Sequence, residues 1–205
     1  MHYSRRLLLV VPLVLAAMSG FAHAQTIPLS ELSAYLNSLR TAEGKFTQIN
    51  ADGTISTGTI YIKRPGRIRF EYDPPEEALV IAGGGSLAVF DPRSNSGADR
   101  YPLNQTPLSI VLANNVDLES AEMVVAHEGD EITTTVTAQD PDHPEYGSIK
   151  LVFTGDPVEL RQWVITDNAG TETTVILGDM KVGGAIQNVL FNIIAAERRW
   201  AARQQ

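Results

Sequence analysis

The hexapeptide Arg67-Ile68-Arg69-Phe70-Glu71-Tyr72 alternates charged and apolar residues without a break. Successive side chains on a strand point to opposite faces, so Ile68, Phe70 and Tyr72 share one side and Arg67, Arg69 and Glu71 the other. The same strand character recurs in Thr59–Lys63, in Ala78–Ile81 and Leu87–Phe90 around Gly83-Gly84-Gly85, and in Glu122–Ala126, Glu131–Ala138, Ser148–Phe153, Val158–Thr166, Thr171–Leu177 and Val189–Ile193. Turn signals such as Pro65-Gly66, Gly155-Asp156-Pro157 and Asn168-Ala169-Gly170 separate them. Strands that follow one another through short turns build an antiparallel meander. The expected class is therefore α+β, mainly antiparallel β, in a single domain from residue 25 to 205.

Two segments depart from the strand rhythm. Leu29, Leu32, Leu36 and Leu39 recur at helical spacing, Tyr35 widens the stripe, and Pro28 suits a first helical turn. Gly44 then ends the helical pattern, and strand character is expected from Lys45 onward. Thr106-Pro107-Leu108-Ser109-Ile110-Val111-Leu112 carries an N-cap threonine, a proline at the first helical position and an apolar middle. It lies in a stretch, Arg93 to Leu118, with few strand signals, and is expected to lie across the open face of the sheet.

The N-terminus is set apart by its chemistry. Arg5 and Arg6 precede the apolar run Leu7–Ala17, and Ala22-His23-Ala24 forms a small-x-small cleavage site, which together read as a secretory signal peptide cut before Gln25. The run is far shorter than the ~20 residues of a membrane span. Ser4-Arg5-Arg6-Leu7-Leu8-Leu9 partly resembles a twin-arginine signal, but nothing downstream calls for a cofactor inserted before export. Removal of residues 1–24 takes away two arginines and no acidic residue, moving the net charge from -8 to -10. The expected product is an exported, soluble, acidic, monomeric protein.

Composition removes several classes of function. Without cysteine there is no disulfide framework, thiolate metal site, cysteine nucleophile or lipidated cysteine. The acidic excess argues against nucleic acid as a partner. His127 and His143 lack metal-ligand spacing, and Asp140, Asp142, His143 and Glu145 read as a solvated loop rather than a calcium site. The glycines at 83–85 belong to a hairpin, where no helix N-terminus is available to a phosphate. Glu71 and Asp73 lie on one face of a strand but lack a partner base, so no catalytic residue, cofactor or enzymatic activity is expected. What remains is a binding problem. An antiparallel sheet with an apolar face must cover it; either its own side chains fill the middle, or a cavity lined by Leu, Ile, Val, Phe and Tyr is left for an apolar ligand.

Gly44-Lys45-Phe46-Thr47-Gln48, then Gly58 to Tyr72 with its Lys63-Arg64-Pro65-Gly66-Arg67-Ile68-Arg69-Phe70 centre, Pro75, the Val80–Val89 hairpin and Thr106-Pro107-Leu108 to Leu112 resemble the LolA family of periplasmic lipoprotein carriers. The resemblance runs from about residue 29 to residue 193. It implies a curved, incomplete β-barrel of about eleven strands covered by short lid helices, with an apolar cavity for acyl chains. It places Ile60, Ile62, Ile68, Phe70, Tyr72, Leu108, Ile110, Val111 and Leu112 at the cavity and lid. Arg64 becomes the latch that bonds the lid and holds it closed. Ile68 stands where the family often has phenylalanine. The implied partners are acylated lipoproteins, an ATP-driven inner-membrane release complex, and the outer-membrane receptor LolB or an equivalent acceptor. LolB shares the fold but is anchored through a cysteine, which this chain lacks. The rival reading is a cell-envelope regulatory or scaffolding module of the same fold that binds a protein segment. Ala195-Ala196-Glu197-Arg198-Arg199-Trp200 replaces the family's proline-containing finish, leaving the end open between a strand and an exposed tail.

Overall fold

The computed structural model describes residues 26–94, 97–119 and 122–203. The signal peptide expected at residues 1–24 lies outside the described residues. Helix α1 (Leu29–Ser38) leads into strands β1 (Thr41–Ile49), β2 (Ile55–Lys63), β3 (Ile68–Tyr72), β4 (Leu79–Gly83), β5 (Ser86–Phe90) and β6 (Asp99–Pro102). The short helix α2 (Leu108–Leu112) precedes β7 (Val124–Gly129), β8 (Thr133–Gln139), β9 (Ser148–Thr154), β10 (Glu159–Thr166) and β11 (Glu172–Leu177). The two-residue β12 (Lys181–Val182), a 3-10 turn at Asn188–Phe191 and helix α3 (Ile193–Arg203) complete the chain.

All pairings are antiparallel, in the order β6-β5-β4-β3-β2-β1-β11-β10-β9-β8-β7, with β12 extending the partner line of β1. Two meanders, β1–β6 and β7–β11, are thus joined in the middle of one open sheet. This order has a direct consequence. Because β6 and β7 occupy opposite edges, the segment between them must cross from one edge to the other. That crossing segment contains α2, and it runs over the concave face.

The period-two pattern explains the register. Ile62 lies opposite Ile68 and Ile60 opposite Phe70, so the inward residues of β2 and β3 meet on one face. Phe46 lies opposite Gly58, and a Cβ at Gly58 would collide with the Phe46 ring and the Glu71 carbonyl. The glycine is there because the phenylalanine covers it. Gly44 does not end a helix; it lies inside β1, where Met180 and the Asp179 carbonyl leave no room for a side chain.

Two further expectations are corrected. Val189–Ile193 is not a strand: Asn188–Phe191 forms a 3-10 turn and Ile193 opens α3. Nor do residues 195–200 form a strand or an exposed tail. Ile193, Ala196 and Trp200 recur at spacings of three and four, which buries one stripe of a helix. That stripe packs with Phe191, Ile81, Ala88 and Phe90 on the convex side of the sheet, forming a second apolar cluster. Gly83 lies so close to the Phe191 carbonyl that a Cβ would clash with it. The polar side of β3 is consequently covered as well: Arg69 is buried, donating from Nη1 to the Leu190 carbonyl at 3.0 Å and from Nε to Glu71 Oε1 at 2.7 Å.

Candidate apolar binding site and its lid

The floor of the concave face is built from alternate residues of nine strands. Ile60, Ile62, Ile68 and Phe70 join Phe46, Leu151, Phe153, Trp163 and Val175 in one apolar cluster. Tyr72, only partly buried, packs against it. Aromatic edges cross the floor in sequence: Tyr72 to Phe46 at 5.1 Å, Phe46 to Phe70 at 5.2 Å and Phe70 to Trp163 at 6.3 Å, all T-shaped, as the ring quadrupoles favour. The Tyr72 hydroxyl donates to Gln48 Oε1 at 2.6 Å, and burial pushes its pKa up to about 12.

Leu108, Ile110, Val111 and Leu112 are buried in the same cluster, together with Leu32 and Leu36 of α1. The nine apolar residues singled out from sequence are therefore brought together, and the structure fills the middle of the fold with the lid's own side chains. A hollow of about 640 Å³ remains beside α2, bounded by Leu87, Tyr101 and Leu108 on one side and by Tyr146 and Ile165 on the other. That volume is within the ~300–1,000 Å³ of small-molecule sites. Thr106 does not cap α2 through its side chain. Its hydroxyl donates back to the Leu103 carbonyl at 2.8 Å, and α2 has no side-chain N-cap.

Arg64, just after β2, is buried and bonds the ends of both helices that cover the floor. Its Nε and Nη2 donate to the Ala113 carbonyl at 3.1 and 2.6 Å, its Nη1 donates to the Leu36 carbonyl, and its Nη2 reaches Asn37 Oδ1 at 3.2 Å. One guanidinium thus binds the C-terminal ends of α1 and α2, where free carbonyls and the helix dipole favour a cation. Backbone bonds reinforce the junction: Gly66 N donates to the Leu112 carbonyl at 2.8 Å and Arg64 N to the Arg40 carbonyl at 2.9 Å. Asn37 then pins the crossing segment by bonding both the N–H and the carbonyl of Val116, and Ser33 Oγ accepts from Leu118 N at 2.9 Å. No carboxylate bonds the guanidinium among the described residues. Burial, and secondarily the charge of Arg40, lower the Arg64 pKa below its ordinary value.

The family model described as "Outer membrane lipoprotein carrier protein LolA" matches residues 37–194. The chain belongs to the LolA family. It is similar to the outer-membrane lipoprotein carrier protein of Coxiella burnetii strain CbuK_Q154, at 28% identity over 187 residues covering 86% of this chain and 87% of that one. It is likewise similar to the outer-membrane lipoprotein carrier protein of Methylococcus capsulatus strain Bath, at 27% identity over 196 residues and 91% of each chain. Among solved structures, it is similar to a putative outer membrane lipoprotein-sorting protein domain from Vibrio parahaemolyticus, at 10% identity and a TM-score of 0.49 over 83% of this chain and 97% of that one. LolA is a carrier family of the periplasm, and no described helix is long and apolar enough to cross a membrane.

Sequence reasoning left out Phe46 and Trp163 as floor residues. Phe46 carried a visible signal, since it stands two residues before Gln48 in the motif; the structure adds that it faces Gly58 across the ladder. Trp163 joins the floor through pairings with Leu151 and Val175, which lie 12 residues away on either side in sequence. The carboxylates Glu71 and Asp73 are engaged elsewhere: Glu71 with Arg69, and Asp73 with Lys45 at 3.7 Å and the Thr57 hydroxyl at 3.3 Å.

Proposed function

We propose that residues 25–205, after export directed by residues 1–24, act as a non-enzymatic periplasmic carrier that shelters the acyl chains of lipoproteins between the inner and outer membranes. The observation that carries this reading is the Arg64 latch. A buried cation bonds backbone carbonyls at the ends of two lid helices over a continuous apolar floor. Such a closure is gathered around one guanidinium, with the Gly66–Leu112 and Asn37–Val116 bonds beside it, and can open as a unit. Moving Leu108, Ile110, Val111 and Leu112 aside would present Ile60, Ile62, Ile68, Phe70 and Tyr72 to an acyl chain. The hollow beside α2 gives the chain a place to start.

Energetics explain why a lid is useful. Each methylene withdrawn from water contributes about 0.8 kcal/mol, so an anchor of roughly 40 methylenes faces on the order of 30 kcal/mol against standing free in water. Non-covalent affinity saturates near ~20 kcal/mol. A carrier must therefore shield the chains while holding them loosely enough to release them. A floor whose lid side chains compete with the cargo does both. The chain has no phosphate-binding loop, so loading is assigned to an ATP-driven inner-membrane complex and unloading to LolB or an equivalent receptor. Native mass spectrometry of the protein recovered from the periplasm tests the reading. A one-to-one complex with triacylated lipoprotein is expected; protein always free of acylated species, under expression that supplies lipoproteins, overturns it.

A further inference from the structure

Two buried indole N–H groups have no hydrogen-bond acceptor among the described residues, those of Trp163 and Trp200. Their surroundings differ. Trp200 lies on the convex side, tilted against Phe90 at 5.3 Å. Trp163 is 1% exposed and stands in the concave floor, its ring edge-to-face with Phe70. An indole N–H can only donate, and leaving it unpaired among apolar groups costs free energy. Phenylalanine at this position would pack the same floor without that cost. The orphan donor is thus a polar group placed within the surface that the carrier reading assigns to acyl chains.

We propose that Trp163 Nε1 donates to a carbonyl of the cargo: the ester or amide carbonyl at the head of an acyl chain. This rests on the carrier reading above. An acyl anchor is alkyl along its length, and its strong acceptors are these carbonyls. Burial of alkyl chains is non-directional, so the rest of the floor cannot tell an acyl chain from any other oily molecule. A single donor in dry, low-dielectric surroundings can, because no water competes for it. In the closed form the lid side chains belong to the same cluster as Trp163, so a carbonyl meets the indole only when they move aside. The bond then forms only in the loaded state and adds an affinity that the empty protein lacks.

The test uses the mature chain carrying Trp200→Phe, in which Trp163 is the remaining tryptophan. It is titrated with dipalmitoylglycerol and with 1,2-di-O-hexadecylglycerol, an ether lipid of equal chain length without carbonyls, both presented from the same detergent. The ester lipid is expected to bind about five- to tenfold tighter, the worth of one net hydrogen bond, and to shift Trp163 emission to longer wavelength where the ether lipid does not. Adding Trp163→Phe should bring the affinity ratio close to one while ether binding is retained. Equal affinities with Trp163 present, or a ratio that survives Trp163→Phe, overturn the proposal and leave the carrier reading standing. Binding of neither lipid overturns the carrier reading itself. If Trp163→Phe does not fold, the emission comparison in the Trp200→Phe protein decides: an identical response to ester and ether overturns the proposal.

Discussion

Both faces of the sheet are covered by helices, and each cover is pinned by an arginine from the β2–β3 hairpin that reaches a backbone carbonyl of the cover. On the concave side Arg64 bonds Ala113 and Leu36; on the convex side Arg69 bonds Leu190. The difference is the counter-charge. Arg69 also holds Glu71 in an ion pair, whereas the bonds of Arg64 run to neutral oxygens. A buried cation compensated only by carbonyl dipoles recovers less of its desolvation cost than one beside a carboxylate. On the proposed reading the concave cover is the one whose arginine contact water or cargo can replace, and the convex cover the one whose contact favours staying shut. The same contrast appears in length: α2 has five residues and α3 has eleven. On the proposed reading one cover acts as a gate and the other as a wall.

The sharpest way to break this comparison is to remove the anchor of the wall. Trp200→Ala deletes a buried aromatic from the convex cluster and should cost about 3–5 kcal/mol in urea unfolding. Hydrogen exchange at 108–118 should rise only as far as global stability falls. Selective opening of the lid in this variant would mean that the two covers are one cooperative layer. Arg64→Leu comes next. It leaves the Ala113 carbonyl without the donors of Arg64 and takes from the Leu36 carbonyl one of two, since Leu39 N still bonds it, a loss of about 1–3 kcal/mol. Amides at 108–118 should then exchange faster and an apolar dye should bind more, while α3 keeps its protection. Unchanged dye binding would remove the gate.

How much of this was legible in the sequence differs between the two sides for physical reasons. The alternation Arg67–Tyr72 fixed which residues of β3 face the floor, and Pro107 followed by aliphatics marked the lid helix. What alternation does not encode is strand order. The route of the lid depends on β6 and β7 being at opposite edges, and β6, Asp99–Pro102, is exposed throughout and reads as polar loop. The convex cover was missed because Val189-Leu190-Phe191 followed by Ile193-Ile194 is rich in apolar residues, the pattern of a buried strand, although Asn192 interrupts it and Val189 and Ile194 end up exposed. The i, i+3, i+7 spacing of Ile193, Ala196 and Trp200 was there to be read. The orphan indole of Trp163 was not, since a missing acceptor becomes apparent only after distant strands have packed around it.

A smaller effect sharpens the comparison from the floor itself. The Tyr72 hydroxyl keeps its proton up to about pH 12 in the folded protein because burial opposes the phenolate, whereas in the unfolded chain it ionises near pH 10. Between those values the unfolded state binds fewer protons, so folding stability must fall as pH rises through the window. Tyr35 and Tyr61 are raised as well, so the informative quantity is the difference between wild type and Tyr72→Phe. The variant should lose part of the alkaline decline in urea midpoint between about pH 10 and about pH 12. Equal slopes would mean that the floor is wetter around Tyr72 than its packing implies.

The smallest expected change lies in the wall. Arg100 and Glu197 bridge β6 and α3 at 2.7 Å, with both side chains substantially exposed. Exposed pairs of this kind contribute about 0.2–1 kcal/mol, and at ~1 M salt, where charges are screened beyond about 3 Å, little should be left. Glu197→Gln should therefore lower stability slightly at low salt and hardly at all at high salt, because the convex cover is held by Phe90, Phe191, Ile193 and Trp200 rather than by surface charge. A larger loss that survived high salt would make the edge strand β6 dependent on α3 through a desolvated ion pair. Opening one cover would then have to disturb the other, since β6 leads directly into the lid, and the division between gate and wall would fail at the strand that joins them.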